Sequence, residues 1–155
     1  ILIIYNINII DGTPEHFIDK HGCAGPTVGE TYMGMKAIEG EPDSVLFFVN
    51  DGPIDDIGGF NYGEVYNITI ESSQEYQYIV YVFDGDILDE SALCDGQVLY
   101  VLSEVQHFEF EWLAPETDAH EYSEAIFRVG FAPKYGQVYI SEFWFDSNAT
   151  LHKDL

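Results

Sequence analysis

The chain has 155 residues, 46% hydrophobic and 15% aromatic, which is enough to core one domain over 1–155 and too apolar for whole-chain disorder. Twenty-eight acidic residues against five basic ones give a formal charge of −23, excluding nucleic acid and anionic membrane surfaces as partners. No apolar run is long enough to cross a membrane as a helix, so membrane insertion is not expected.

In chain order, Ile1, Ile3, Tyr5, Ile7 and Ile9 form one apolar face, with Asn6 and Asn8 on the other. That period of two predicts a strand over 1–10, ended by Asp11-Gly12. The chain opens on Ile1 rather than Met, which reads as a processed product or a fragment. Residues 1–10 carry neither the basic leader nor the cleavage site of an intact signal peptide. Residues 15–21 have room for a turn or two of helix. Strands are predicted at 31–38 and 44–50, followed by a stretch of turn residues over 50–59.

The next predicted strand, 64–71, sets Tyr66, Ile68 and Ile70 against Val65, Asn67 and Thr69. Residues 76–83 are apolar on both faces, as in a central strand. Strands at 97–102 and 105–112 follow. In the second, Phe108, Phe110 and Trp112 make one face wholly aromatic, while His107, Glu109 and Glu111 make the other polar. Pro115 has no N–H for a ladder and closes that run. Strands at 124–131 and 137–145 complete the set. Short alternating runs punctuated by Gly, Pro, Asp and Asn predict an all-β fold. The architecture expected is a single antiparallel β-sandwich of about 8–10 strands, immunoglobulin-like.

Several residue groups could carry chemistry. Asp84, Asp86 and Asp89, with Glu90, put carboxylates on a loop after a strand, as calcium sites do, though without EF-hand spacing. Asp51, Asp55 and Asp56 form a second such loop. Calcium is the one cofactor with a candidate place, and solvated turns are the competing reading. Glu109, Glu111 and Glu142 fall on aromatic strands, where a glycosidase would carry its acid pair, but they also fit a wet outer face. His16, His21, His107, His120 and His152 have no metal-ligand spacing, and no nucleophile stands with a base. The reading is noncatalytic.

Two cysteines, Cys23 and Cys94, accompany two N-x-T triplets at Asn67 and Asn148. Together they point to an oxidising extracellular compartment, with Asn67 and Asn148 as glycan acceptors. A Cys23–Cys94 bridge and a pair of buried thiols are both open on the residues alone. The charge has three readings: a surface adapted to salt, a cation-rich setting, or a surface for a basic protein.

Phe60-Asn61-Tyr62-Gly63-Glu64-Val65-Tyr66-Asn67-Ile68-Thr69-Ile70 resembles the Y-x-P-G-x-x-Y-x-V-T-L strand entry of the reeler domain, the N-terminal module of reelin and F-spondin. Residues 78–85 stand where that family has its G-F-L-L run. Phe108-Glu109-Phe110-Glu111-Trp112-Leu113-Ala114-Pro115 resembles its W-x-A-P segment, and Cys23 and Cys94 stand where a family pair stands. Tyr62 replaces the family's proline, and Gln77-Tyr78 replaces its glycine. The resemblance spans roughly residues 22–146. It implies an extracellular β-sandwich acting through protein or matrix contacts, in adhesion or assembly, and places no family binding residue. Two rivals stand beside it. One is a filament subunit that self-associates by strand exchange through residues 1–10, the other fate of that strand being to pair within its own domain. The other is a carbohydrate-binding sandwich with a planar row of exposed aromatics.

Overall fold

The computed structural model describes residues 23, 25–32, 35–116, 124–134 and 136–148. The strand predicted over 1–10 and the helical turn predicted within 15–21 lie outside them. The described elements run β1 (Thr31–Tyr32), β2 (Met35–Lys36), β3 (Ile38–Glu39), β4 (Val45–Val49), β5 (Gly52–Pro53) and α1 (Ile54–Ile57). Then come β6 (Val65–Phe83), β7 (Asp86–Ile87), β8 (Val98–Leu113), β9 (Glu124–Ala132) and β10 (Tyr139–Asp146).

Two long strands organise the fold. The 19-residue β6 absorbs both runs predicted at 64–71 and 76–83, and the 16-residue β8 absorbs 97–102 and 105–112. The two pair antiparallel along nearly their whole length, from Val65↔Leu113 to Tyr81↔Val98. Register shifts between Glu71 and Tyr78 let the extra residues out as bulges, which bend a strand and sharpen its twist. On its other edge β6 changes partner at this bend. Ile68–Ser72 pair with β4, and Gln77–Phe83 pair with β9. The pairing therefore curls one sheet into two facing layers, with β6 and β8 passing through both. Side chains bridge the bend: Ser72 Oγ lies 2.7 Å from the Tyr78 hydroxyl, and Gln106 Nε2 donates to Ser73 O at 3.3 Å.

The core lies between the layers. Tyr66, Ile68, Ile70, Phe110 and Trp112 of one layer meet Phe127, Val129, Phe131 and Phe145 of the other. Trp112 is fully buried, packs edge-on against Phe60 and Phe127, and donates its indole N–H to Asp84 O at 3.1 Å. Burying an aromatic side chain of this size stabilises by about 4–6 kcal/mol on area alone. Phe110 and Trp112 are buried, as their alternation predicts, and Phe108 is half-buried against the same core. A smaller cluster on the outer face of the β9–β10 layer, including Ile79, Tyr81 and Ile140, packs with Ala37.

The all-β sandwich holds, with three local corrections. The run at 31–38 is not one strand, because β1 doubles back on β2 through Tyr32↔Met35. The turn residues over 50–59 include the short β5 and the single turn α1. Among the described residues, antiparallel pairing has one exception in the ladders, since β3 runs parallel to β10 through Tyr139↔Ile38.

Candidate interaction surface

Cys23 and Cys94 are joined in a disulfide, with Cα atoms 6.0 Å apart across 71 positions. The bridge ties the segment before β1 to the loop before β8. Gly25, two residues on, lies so close to the Tyr81 ring that a Cβ there would sit 2.7 Å from it. Arg128 Nη1 then donates to Pro26 O at 3.1 Å, and the guanidinium stacks 4.9 Å above the Phe83 ring.

Asp84, at φ +91°, accepts the Gly85 N–H through its own carboxylate. Asp89 accepts both the N–H and the hydroxyl of Ser91, and these bonds hold its carboxyl below the usual carboxylate range. Asp86 is an exposed residue of β7. Among the described residues no three acidic, His or Cys side chains are grouped to hold a metal ion. Glu109 and Glu111 point outward from β8, and Glu142 points outward from β10 in the opposite layer, so the three do not form an acid pair. His107 is exposed beside them, and the other four histidines lie outside the described residues.

The sequon asparagines sit in structured places. Asn67 is half-buried on the outer face of β6, its backbone clasped by Asn50 on the neighbouring turn and its amide 3.5 Å from Glu109. Asn148 accepts the Gly59 N–H at 3.1 Å and donates to Asn61 Oδ1, which fastens the 59–61 turn to the end of β10.

Beyond these residues, an open sheet edge is the surface suited to binding. Backbone parity along β10 is fixed by its neighbours. Val138 O and Ile140 O accept from Ile38 and Gly40, and Asp146 O accepts from Phe60 at 3.0 Å. Even-numbered residues of β10 therefore aim both N–H and C=O away from β9. Between Ile140 and Asp146 those residues are Glu142 and Trp144, and among the described residues no strand pairs with them on that side. Across from this edge β4 pairs with β6, but its other side meets β5 only through Phe48 and Val49. The two layers thus leave a seam, with Phe47 and Phe143 stacked 4.9 Å apart beneath it.

A groove of about 990 Å³ follows this seam. Its apolar floor includes Val45, Ile140 and Phe143, and four carboxylates border it: Glu39, Glu41, Asp43 and Glu142. Its cation, Arg128, is engaged by Glu142 at 2.9 Å. Trp144 stands at the margin, 54% exposed, and is the only exposed aromatic among the described residues. Sequence reasoning did not single out Trp144 or Arg128. The signal was there in Phe143-Trp144-Phe145, because three consecutive aromatics on a strand must put the middle one opposite the other two.

No family model and no curated protein sequence matches the chain. Among solved structures it is similar to the human F-spondin reeler domain. One crystal structure of that domain (fragment 1) superposes with a TM-score of 0.55 at 13% identity, covering 73% of this chain and 94% of that one. A second (fragment 2) gives 0.50 at 13% identity, with 67% and 92% covered. The shared property is the fold.

Proposed function

We propose that this chain, a β-sandwich with the fold of the reeler domain, is a noncatalytic extracellular module that works through protein or matrix contacts. The observation that carries the reading is the edge of β10, where the backbone groups of Glu142 and Trp144 face outward with no strand partner among the described residues, beside an exposed tryptophan. Open edges recruit strands from other chains unless something blunts them. The Cys23–Cys94 bridge supports an oxidising compartment, where such bonds persist. A direct test is adhesion of the full chain to decellularised matrix, comparing the natural protein with a Trp144→Lys variant whose circular dichroism is unchanged. Loss of adhesion in the variant is expected. Equal adhesion, or none by the natural protein, would refute the reading.

Self-association by strand exchange is the second reading. Residues 1–10 carry an uncharged, unbroken apolar face, and the seam beside β10 is a place for a strand from a neighbour. Deleting 1–10 should then leave a folded monomer and abolish polymer in light scattering; a chain that no longer folds would mean the strand serves its own domain. Carbohydrate binding has less to stand on, because among the described residues one exposed tryptophan is not a planar aromatic row. Glycans on Asn67 and Asn148 belong to the extracellular reading and are read directly from intact mass before and after glycosidase. Calcium at Asp84, Asp86 and Asp89 would join carboxylates of which two already accept hydrogen bonds, Asp84 from Gly85 and Asp89 from Ser91. A melting temperature that rises with added calcium chloride is its test.

A further inference from the structure

Resting on the reading of β10 as a docking edge, we infer that its occupant is an extended cationic segment in which basic and apolar side chains alternate. An added strand would hydrogen-bond to the outward N–H and C=O groups of Glu142 and Trp144. Its side chains would then fall alternately on the two sides of the sheet. On the outer side they would meet Glu142 and the exposed Trp144 ring, a carboxylate and a π-face that both attract an ammonium or guanidinium. On the inner side they would lie over Phe143 and Val45, at the apolar floor of the groove.

Charge decides between occupants. Glu39, Glu41, Asp43 and Glu142 border the groove, Arg128 is committed to Glu142, and the whole chain carries −23. Such a field accelerates the encounter with a cation and rejects anionic strands. An uncharged strand such as residues 1–10 would set its second face, Leu2, Ile4, Asn6, Asn8 and Ile10, against those carboxylates and gain no charge attraction from them.

The test uses the full chain and two synthetic peptides: one alternating lysine with valine, and one with the sequence of residues 1–10. Binding is followed by isothermal titration calorimetry in every variant and, in the natural chain, by protection of the Glu142 and Trp144 amides in hydrogen exchange. The diagnostic variant is Trp144→Pro. Position 144 aims its N–H away from β9, so proline there deletes an outward donor that has no partner among the described residues while leaving the β9 ladder intact. Trp144→Ala, which keeps the N–H, controls for loss of the ring. The lysine peptide should bind the natural chain, weaken about tenfold or more with Trp144→Pro, and weaken further with Glu41→Gln. Lysine-peptide binding unchanged by Trp144→Pro and without amide protection would be diffuse charge attraction, and would overturn both this inference and the docking edge. Tighter binding of the uncharged peptide, abolished by Trp144→Pro, would overturn the cationic occupant and keep the edge. Binding of neither peptide at millimolar concentration would overturn both.

Discussion

Replacing both Cys23 and Cys94 with serine should cost the fold about 4 kcal/mol, through the unfolded chain more than the folded one. The bridge spans 71 positions. Closing a loop of that size removes about 15 cal/mol/K of chain entropy from the denatured ensemble, or about 4.4 kcal/mol at 25 °C. For a domain of this length that is a fall in Tm of about 9–18 °C. On the folded side two contacts hold the segment beside the bridge: Arg128 donates to Pro26 O, and Gly25 lies against the Tyr81 ring. Those contacts contribute about 1 kcal/mol each. Ordering the segment before β1 costs about 1–2 kcal/mol per residue, so without the bridge it should detach locally as well. Urea titration of the natural and doubly substituted chains separates the effects. The midpoint should fall, and the m-value should rise because the unbridged denatured chain exposes more surface. Hydrogen exchange should quicken at Tyr81 and Arg128. A midpoint loss below about 1 kcal/mol, with an unchanged m-value, would refute the loop-closure account.

Three further outcomes are expected. Gly85→Ala should destabilise by about 2–4 kcal/mol in the same titration, because position 85 sits at φ +72° and a Cβ there would lie 2.4 Å from Trp112 Nε1; a neutral result would mean that the Trp112 contact gives way freely. Asn148→Ala should cost about 1–2 kcal/mol by freeing Gly59 and Asn61, and more than Asn67→Ala, whose only side-chain bond is a 3.5 Å contact with Glu109. Burial raises the hydroxyl pKa of Tyr66, Tyr76 and Tyr78 above the ordinary value of 10.0. Their neutral forms therefore favour the folded state, a contribution fully present below pH 10 and lost as pH rises through the raised folded values. Tyrosinate absorbance should lag in the folded chain and appear together with alkaline unfolding, whereas early titration of all eleven tyrosines would contradict the burial.

Much of this molecule was legible as alternation. A period of two placed Tyr66, Ile68, Ile70, Phe110 and Trp112 inside and Glu109 and Glu111 outside, because side chains on a pleated strand face opposite ways whatever surrounds them. The all-β class follows from the same local rule. Other features were decided by pairing between distant residues. Ser72-Ser73-Gln74-Glu75 reads as a break, yet β6 runs through it, because β8 stays bonded on one side while β4 gives way to β9 on the other. In β8 the buried positions shift from Leu99 and Val101 to Phe108, Phe110 and Trp112, a change of parity that splits the pattern in two without breaking the strand. The edge at Glu142 and Trp144 is also tertiary. Nothing local to these residues states that their backbone groups lack a partner among the described residues, since that depends on where Gly40 and Phe60 stop pairing with β10. The sequence by itself determined which faces are wet and which are dry. Only the folded chain determined which edge is left open, because a strand's hydrogen-bonding partners are chosen by topology and not by its own side chains.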